Sequence, residues 1–408
     1  MKNKKTFAAL AVFIAAATAF VPIGSVSISG SGSGQALLRM PIAEAAYRFA
    51  DFQGRPPVHI YRAAAAKPQG MTPAEIKAVY NLPSNAGTGT IAVIDAYDDP
   101  TMEADLGVFD AMYGLGACTT KNGCFTKHKM ASSTAANSGW ELEESLDVEW
   151  AHAIAPKAKI MLVEAKTPSG ANLLSAIDYA AKQKGVIAVS MSWGGAEFSD
   201  EATLDSHFAA NVGGATSGTK TGSGPIAFFA SSGDNGTGVS WPASSPYVIG
   251  VGGTTLTLGS STGKFVAETA WSGSGGGVSA YEKEPAYQTA YSIAQAKGMR
   301  AIPDVSYNAD PQSGYPVYKT TGKSKNGWYT VGGTSAGAPQ WAAIQSLDQS
   351  LGSSVALPQL YADKASSGTL KFFRDITSGS NGTCKYYCDA RKRYDYVTGL
   401  GTPQTVKF

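Results

Sequence analysis

The 408 residues carry 33 Lys and Arg against 31 Asp and Glu, a formal net charge of +2, with 43% hydrophobic and only 16% charged residues. That length and balance exclude a disordered chain and allow a large buried core, and the absence of a basic stripe interleaved with aromatics argues against a nucleic-acid partner.

Lys2, Lys4 and Lys5 precede an apolar run from Phe7 to Gly24, with a small-x-small site at Ala17-Thr18-Ala19. This is the pattern of a removable secretory signal peptide over residues 1–24, its end not fixed; a retained membrane anchor is the competing reading. Residues 25–70 are rich in Ser, Gly, Ala and Pro and read as a linker or short pro-segment. The globular domain is expected over 71–408, opened by a helix that Thr72 caps, with Pro73 in its first turn and Glu75 third. Strands are predicted at Ile91–Asp95, Lys159–Ala165, Val186–Ser192, Ile226–Ser231 and Tyr247–Val251, each almost wholly apolar. Helical patterns such as Ala171–Gln183 lie between several of them, which predicts an α/β fold with a doubly wound, mostly parallel sheet and helices on both faces. In such sheets chemistry gathers beyond the carboxyl ends of the strands. Three polar loops belong there: Ser190–Gly195, Ser231–Gly236 and Gly332–Ser335.

The four cysteines form two close pairs, Cys118/Cys124 and Cys384/Cys388. Local disulfides suit an exported protein and are the simplest of three connectivities; a zinc site is the rival, with neither Cys-x-x-Cys spacing nor a nearby His to favour it.

Trp140–Ala155 reads as a helix, capped by Asn137 or Ser138 and stopped by Pro156. Leu142, Leu146, Trp150, Ala153 and Ile154 form its apolar stripe. Glu143 and Asp147 stack at i,i+4 on the border of that stripe, Glu144 is expected in solvent, and Glu149 is expected in a buried hydrogen bond. Two acids about 4 Å apart repel by roughly 4 kcal/mol at an effective dielectric near 20, so a partly buried pair holds one proton over a wide pH range. Downstream, a strand over Trp328–Val331 runs into Gly332 and Gly333, and Thr334 is placed to cap a helix whose first turn holds Ser335. The free N–H groups there favour a developing alkoxide. None of His59, His128, His152 and His207 adjoins a plausible strand end, and His152 reads as a solvated surface residue, so the base for Ser335 is sought among carboxylates. Asp95, at a strand end, is assigned a structural role.

Glu143-x-x-Leu146-Asp147, Ser232-Gly233-Asp234 and Gly333-Thr334-Ser335-Ala336-x-x-Pro339, in this order, resemble the sedolisins, which are subtilisin-fold peptidases. The similarity runs from about Met71 to Pro403. The resemblance implies Ser335 as nucleophile, Glu143 as its base, Asp147 hydrogen-bonded to Glu143, and Asp234 in the oxyanion hole, donating while protonated. A carboxylate base and a carboxylic-acid donor both predict an acidic optimum. Ser190, Ser192, Trp193 and Gly194 resemble the backbone strand that pairs with substrate, and Trp271–Gly277 a second cleft wall. Asp375, Ile376, Arg391, Arg393 and Asp395 resemble a loop holding one calcium ion through two carboxylates and three carbonyls, with arginines where the family usually has glycines. Residues 25–70 are too short for the folded pro-domain of many sedolisins. The expectation is a secreted monomer, without a stable membrane anchor, that cleaves protein or peptide substrates. The rivals are a His-based neutral subtilisin-type protease and a non-catalytic binding protein on a peptidase scaffold.

Overall fold

Two periodicities alternate along the chain and set the layers. The strands used below are β1 (His59–Ala65), β2 (Thr90–Ala96), β3 (Phe125–Lys129), β4 (Lys159–Ala165), β5 (Val186–Met191), β6 (Ala227–Ser231), β7 (Ile249–Leu258), β8 (Phe265–Ala270), β9 (Val305–Asn308), β10 (Tyr315–Lys319) and β11 (Gly327–Gly332). The helices used below are α1 (Pro73–Val79), α2 (Met102–Tyr113), α3 (Ser138–Ile154), α4 (Gly170–Ala181) and α5 (Gly337–Leu347). The computed structural model describes residues 48–132, 135–209, 226–321, 326–347, 357–362 and 371–406, and the signal-peptide stretch lies outside them.

The main sheet runs β8-β7-β6-β5-β2-β4-β3, with β9 also on β7, and all pairs are parallel except the β8 edge. Every residue of β2 is buried. Its Ile91 and Val93 enter one apolar cluster with Leu146 and Trp150 of α3 and Trp341 of α5, whereas Ala92 and Ile94 enter another with Leu173 and Ile177 of α4. The sheet is thus covered on both faces, as an all-apolar strand demands. Thr72 and Glu75 close the expected capping box on α1. The Asn137 side chain caps α3 by accepting from Gly139 and Trp140 N–H.

Residues 48–65 do not behave as a linker. Phe52 is fully buried, and β1 pairs antiparallel with β11 in a second, three-stranded sheet completed by β10. The disulfides are Cys118–Cys124 and Cys384–Cys388. Among the described residues no helix is long and apolar enough to cross a membrane.

Candidate active site

Ser335 lies in a single 3-10 turn, Thr334–Ala336, between the end of β11 and the start of α5. Gly333 makes the bend at φ 124°, a conformation open to glycine, and a side chain there would run into Asp234 and the Pro57 carbonyl. Thr334 does not cap the helix. Its hydroxyl donates to Asp234 Oδ1 (2.7 Å) and accepts from Gly233 N–H (3.1 Å), while Thr334 N–H donates to the same Asp234 oxygen (2.8 Å). The loop after β6 and the turn after β11 are locked together by this set, which places Asp234 beside the nucleophile turn.

Glu143 and Asp147 of α3 are fully buried and face the same turn. The Ser335 hydroxyl is close enough to Glu143 to lower its pKa, although neither Glu143 oxygen has a fully formed hydrogen bond. Ser335 Oγ also lies 3.5 Å from Ser192 O. The hydrogen bond found at Asp147 comes from the Ser192 hydroxyl (2.8 Å), not from Glu143, and that hydroxyl also reaches Ser335 O (3.2 Å). Ser192 therefore ties the acid helix to the nucleophile turn.

Asp95, read from sequence as structural, is a third member of this acid group. It is fully buried, and its charge raises the pKa of both Glu143 and Asp147, second only to burial in each case. The signal available was its position at the carboxyl end of central strand β2. Glu144 is not solvated: it is fully buried, and its pKa is raised well above the usual range by burial, then by Glu164 and Asp95. Glu149 accepts a hydrogen bond from Tyr318 N–H (3.0 Å), as expected. His152 is also buried rather than solvated, with Nε2 3.0 Å from Gly116 O. Every residue of α3 from Leu142 to Ile154 is buried between the sheet and neighbouring elements, which leaves this stretch no solvated side.

Burial raises Asp234 as well, opposed by hydrogen bonds from His59 and Thr334. His59 Nε2 is 3.1 Å from Asp234 Oδ2, and that bond raises the imidazole pKa. The other histidines are engaged elsewhere: His128 stacks on Tyr179 at 3.8 Å and His207 bonds to Asp178 at 2.8 Å.

The cleft beside Asp234 and His59 has a volume of about 730 Å³, and Asp51, Gln53 and Arg55 to His59 form part of its lining. Arg55 and Gly194 exchange two backbone hydrogen bonds (3.0 and 3.2 Å), so Gly194 is an edge that pairs with extended peptide. Trp193 is instead a buried wall, its Nε1 donating to Ile94 O (2.8 Å), and Ser190 lies buried within β5. Trp271 meets the His59 ring edge-on at 6.0 Å.

At the C-terminal loop, Asp375 Oδ1 is buried without a partner and burial pushes Asp395 up to about 7. The Arg391 guanidinium turns toward Asp389 (3.7 Å) and the Tyr386 ring (4.5 Å). Arg393 adopts φ 65°, which glycine would take at no cost. Asp395 is buried, Asp375 is half-buried with one oxygen orphaned, and the charges of Lys392 and Arg393 act on Asp375; two acids with an unpartnered oxygen between them fit a hard cation.

Acids raised by burial bind protons more tightly folded than unfolded. Stability should then fall as pH rises from the unfolded carboxylate range near 4 toward the folded values. The window extends to about 8, where burial places Glu201 and Glu282. His152, lowered by burial, and Asp98, held low despite burial by Lys127 and Lys129, act in the opposite sense. We expect a higher Tm at pH 4 than at pH 8 by scanning calorimetry; the reverse order would mean the acid group is not protonated in the folded state.

Residues 128–359 match the peptidase S8 (subtilase) family. Sedolisin of Pseudomonas sp. (strain 101) is 28% identical over 383 residues, covering 84% of this chain and 61% of that protein. Kumamolisin of Bacillus sp. (strain MN-32) is 32% identical over 380 residues, covering 84% and 63%. The chain thus spans about three fifths of the length of these curated relatives. The structure of Pseudomonas sedolisin, a serine-carboxyl proteinase complexed with two molecules of pseudo-iodotyrostatin, superposes with a TM-score of 0.69 at 27% identity, covering 84% of this chain and 97% of that one. A psychrophilic protease at 18% identity and TM-score 0.51 shares the fold. By sequence and by structure, this chain belongs to the subtilase family, with the sedolisins among its relatives.

Proposed function

We propose that the chain is an exported serine endopeptidase that works at acidic pH, with Ser335 as nucleophile and Glu143 as its base. The observation that carries this reading is the convergence of Ser335, buried Glu143 and buried Asp234 beside Gly194, an edge already paired with extended backbone. Ser335 Oγ attacks the peptide carbonyl as its proton passes to Glu143. The oxyanion accepts a hydrogen bond from protonated Asp234, and Glu143 then returns the proton to the leaving amine. Water attacks the acyl-enzyme by the same relay. Asp147 and Asp95, raised by burial and by mutual repulsion, stay protonated and leave the single negative charge of the acid group to Glu143, which the Ser335 hydroxyl favours. Ionised Asp234 cannot donate, which sets the alkaline limit. Residues 53–57 lie in the groove that substrate would use, so they must leave it before cleavage.

A His-based mechanism is disfavoured because His59 bonds Asp234 while the Ser335 hydroxyl faces Glu143. The test is cleavage of denatured protein at pH 3 to 5 and at pH 7, with covalent labelling by an active-site serine reagent. We expect acid-selective cleavage and labelling, both lost in Ser335→Ala. Labelling without cleavage at any pH would favour a binding protein. Export is supported by the N-terminal pattern and by the two disulfides.

For the calcium loop, Asp375 and Asp395 with the carbonyls of Ile376, Arg391 and Arg393 would hold one ion, which ties two distant loop segments together when bound. Chelation by EDTA should lower Tm by roughly 5 °C, reversed by excess calcium, since a ligand at about 100 times its Kd adds roughly 2.7 kcal/mol. No change in Tm would remove the calcium assignment.

A further inference from the structure

The segment in the groove marks out more binding surface than the catalytic residues need. Residues 53–55 run between two backbone edges. Gly54 N–H donates to Pro168 O (2.7 Å) on one side, and Arg55 exchanges hydrogen bonds with Gly194 on the other. Downstream, the Pro57 carbonyl lies against Gly333 and Asp234. Upstream, Phe52 and Phe49 enter an aromatic pocket walled by Trp193, Phe198 and Trp241. Phe52 is fully buried, with its ring centroid 4.8 Å from Trp241, 5.8 Å from Phe198 and 6.4 Å from Trp193. Phe49 sits 5.8 Å from Phe198 and 6.1 Å from Trp241.

The pocket is shaped for these rings. A Cβ on Gly195 would come within 2.6 Å of the Phe52 ring, and one on Gly170 would strike the Phe49 ring. Neither glycine has a positive φ, so backbone conformation does not require glycine at either place; room for an aromatic ring does. Anything that pairs with Gly194 must displace Arg55, and Phe52 is only three residues away on the same segment. An occupant of the groove therefore meets a vacated pocket.

We propose that this pocket is a distal subsite of the groove that takes an aromatic side chain, phenylalanine first, five residues before the residue whose carbonyl is attacked. In the chain's own sequence Phe52 fills it, with Pro57 at the catalytic residues. The proposal rests on the peptidase reading for its register. Edge-to-face packing on Trp193 and Trp241, with a tilted contact to Phe198, supplies the selectivity, beyond simple burial of the ring.

The test uses the full chain carrying Phe49→Ala and Phe52→Ala, so that the tethered segment no longer competes for the pocket. A labelled peptide of residues 48–60 is titrated at pH 4 by fluorescence anisotropy, beside the same peptide bearing both substitutions. The peptide with its phenylalanines should bind at least tenfold more tightly. Equal affinities, or no saturable binding of either, overturn the proposal. In case the double variant does not fold, the unmodified chain is given two quenched substrates that differ only by Phe or Ala five residues before the residue whose carbonyl is attacked. A kcat/KM ratio of at least ten supports the subsite and a ratio near one overturns it. A tenfold binding difference in a protein that cuts neither substrate keeps the pocket and removes the peptidase reading. Cleavage with equal affinities removes the pocket alone.

Discussion

Glu143→Gln should lower kcat/KM at pH 4 by about 10³-fold or more, with the fold intact. Proton transfer by a positioned side chain contributes about 10²–10⁴-fold, and an amide cannot accept the Ser335 proton at any pH. The substitution is close to isosteric in a site with no room to collapse, and it leaves Asp147 bonded to Ser192. It also removes one of three mutually repelling carboxyls, so Tm should depend less on pH than in the unmodified protein. The two readouts separate cause from damage: a fall in activity with a maintained or higher Tm at pH 7 is a chemical loss. Activity within tenfold of the parent would show that Ser335 gives its proton to another group.

Asp234 offers the second large effect, because its two substitutions should diverge. Asp234→Ala removes the donor to the oxyanion and the acceptor of both Thr334 bonds, so kcat should fall by about 10²–10³-fold. Asp234→Asn keeps an acceptor for Thr334 and a permanent N–H donor. At pH 4 its kcat should stay within about tenfold of the parent. Burial raises the Asp234 pKa and His59 opposes that rise, so the parent loses its donor as pH climbs through that range. The asparagine variant has no such proton to lose, and the alkaline limb of its pH–rate profile should move upward. A limb that stays in place would assign it to Glu143 and its neighbours instead.

Much of this arrangement is legible in sequence because it follows from short-range rules. Strands such as Lys159–Ala165 and Val186–Met191 have no polar alternation, which fits only burial on both faces. The i,i+4 spacing of Glu143 and Asp147 put both on one side of α3, and the two glycines before Thr334 announced a sharp strand-to-helix turn. What was missed depends on long-range packing. Glu144 and His152 read as solvated because a helix with an apolar stripe normally keeps a wet face. Here β2 and β4 cover one flank of α3, and α2, β10 and α5 cover others. Thr334 would cap a helix in isolation, but its hydroxyl meets Asp234, 100 residues away in sequence. Residues 48–65 carry no strong pattern of their own. Their strand exists because β11 offers an edge, and tertiary pairing outweighed weak local propensity.

The interior acids also alter a bulk property. The formal charge of +2 counts every Asp and Glu as ionised. Burial drives Asp95, Glu144, Asp147 and Glu149 well above their ordinary range, so the native molecule holds protons at pH values where its unfolded chain has released them. Each retained proton adds one unit of positive charge. The native protein should consequently focus at a higher isoelectric point than the same chain in urea, because the acids neutralised in its interior no longer balance the Lys and Arg charges that meet solvent.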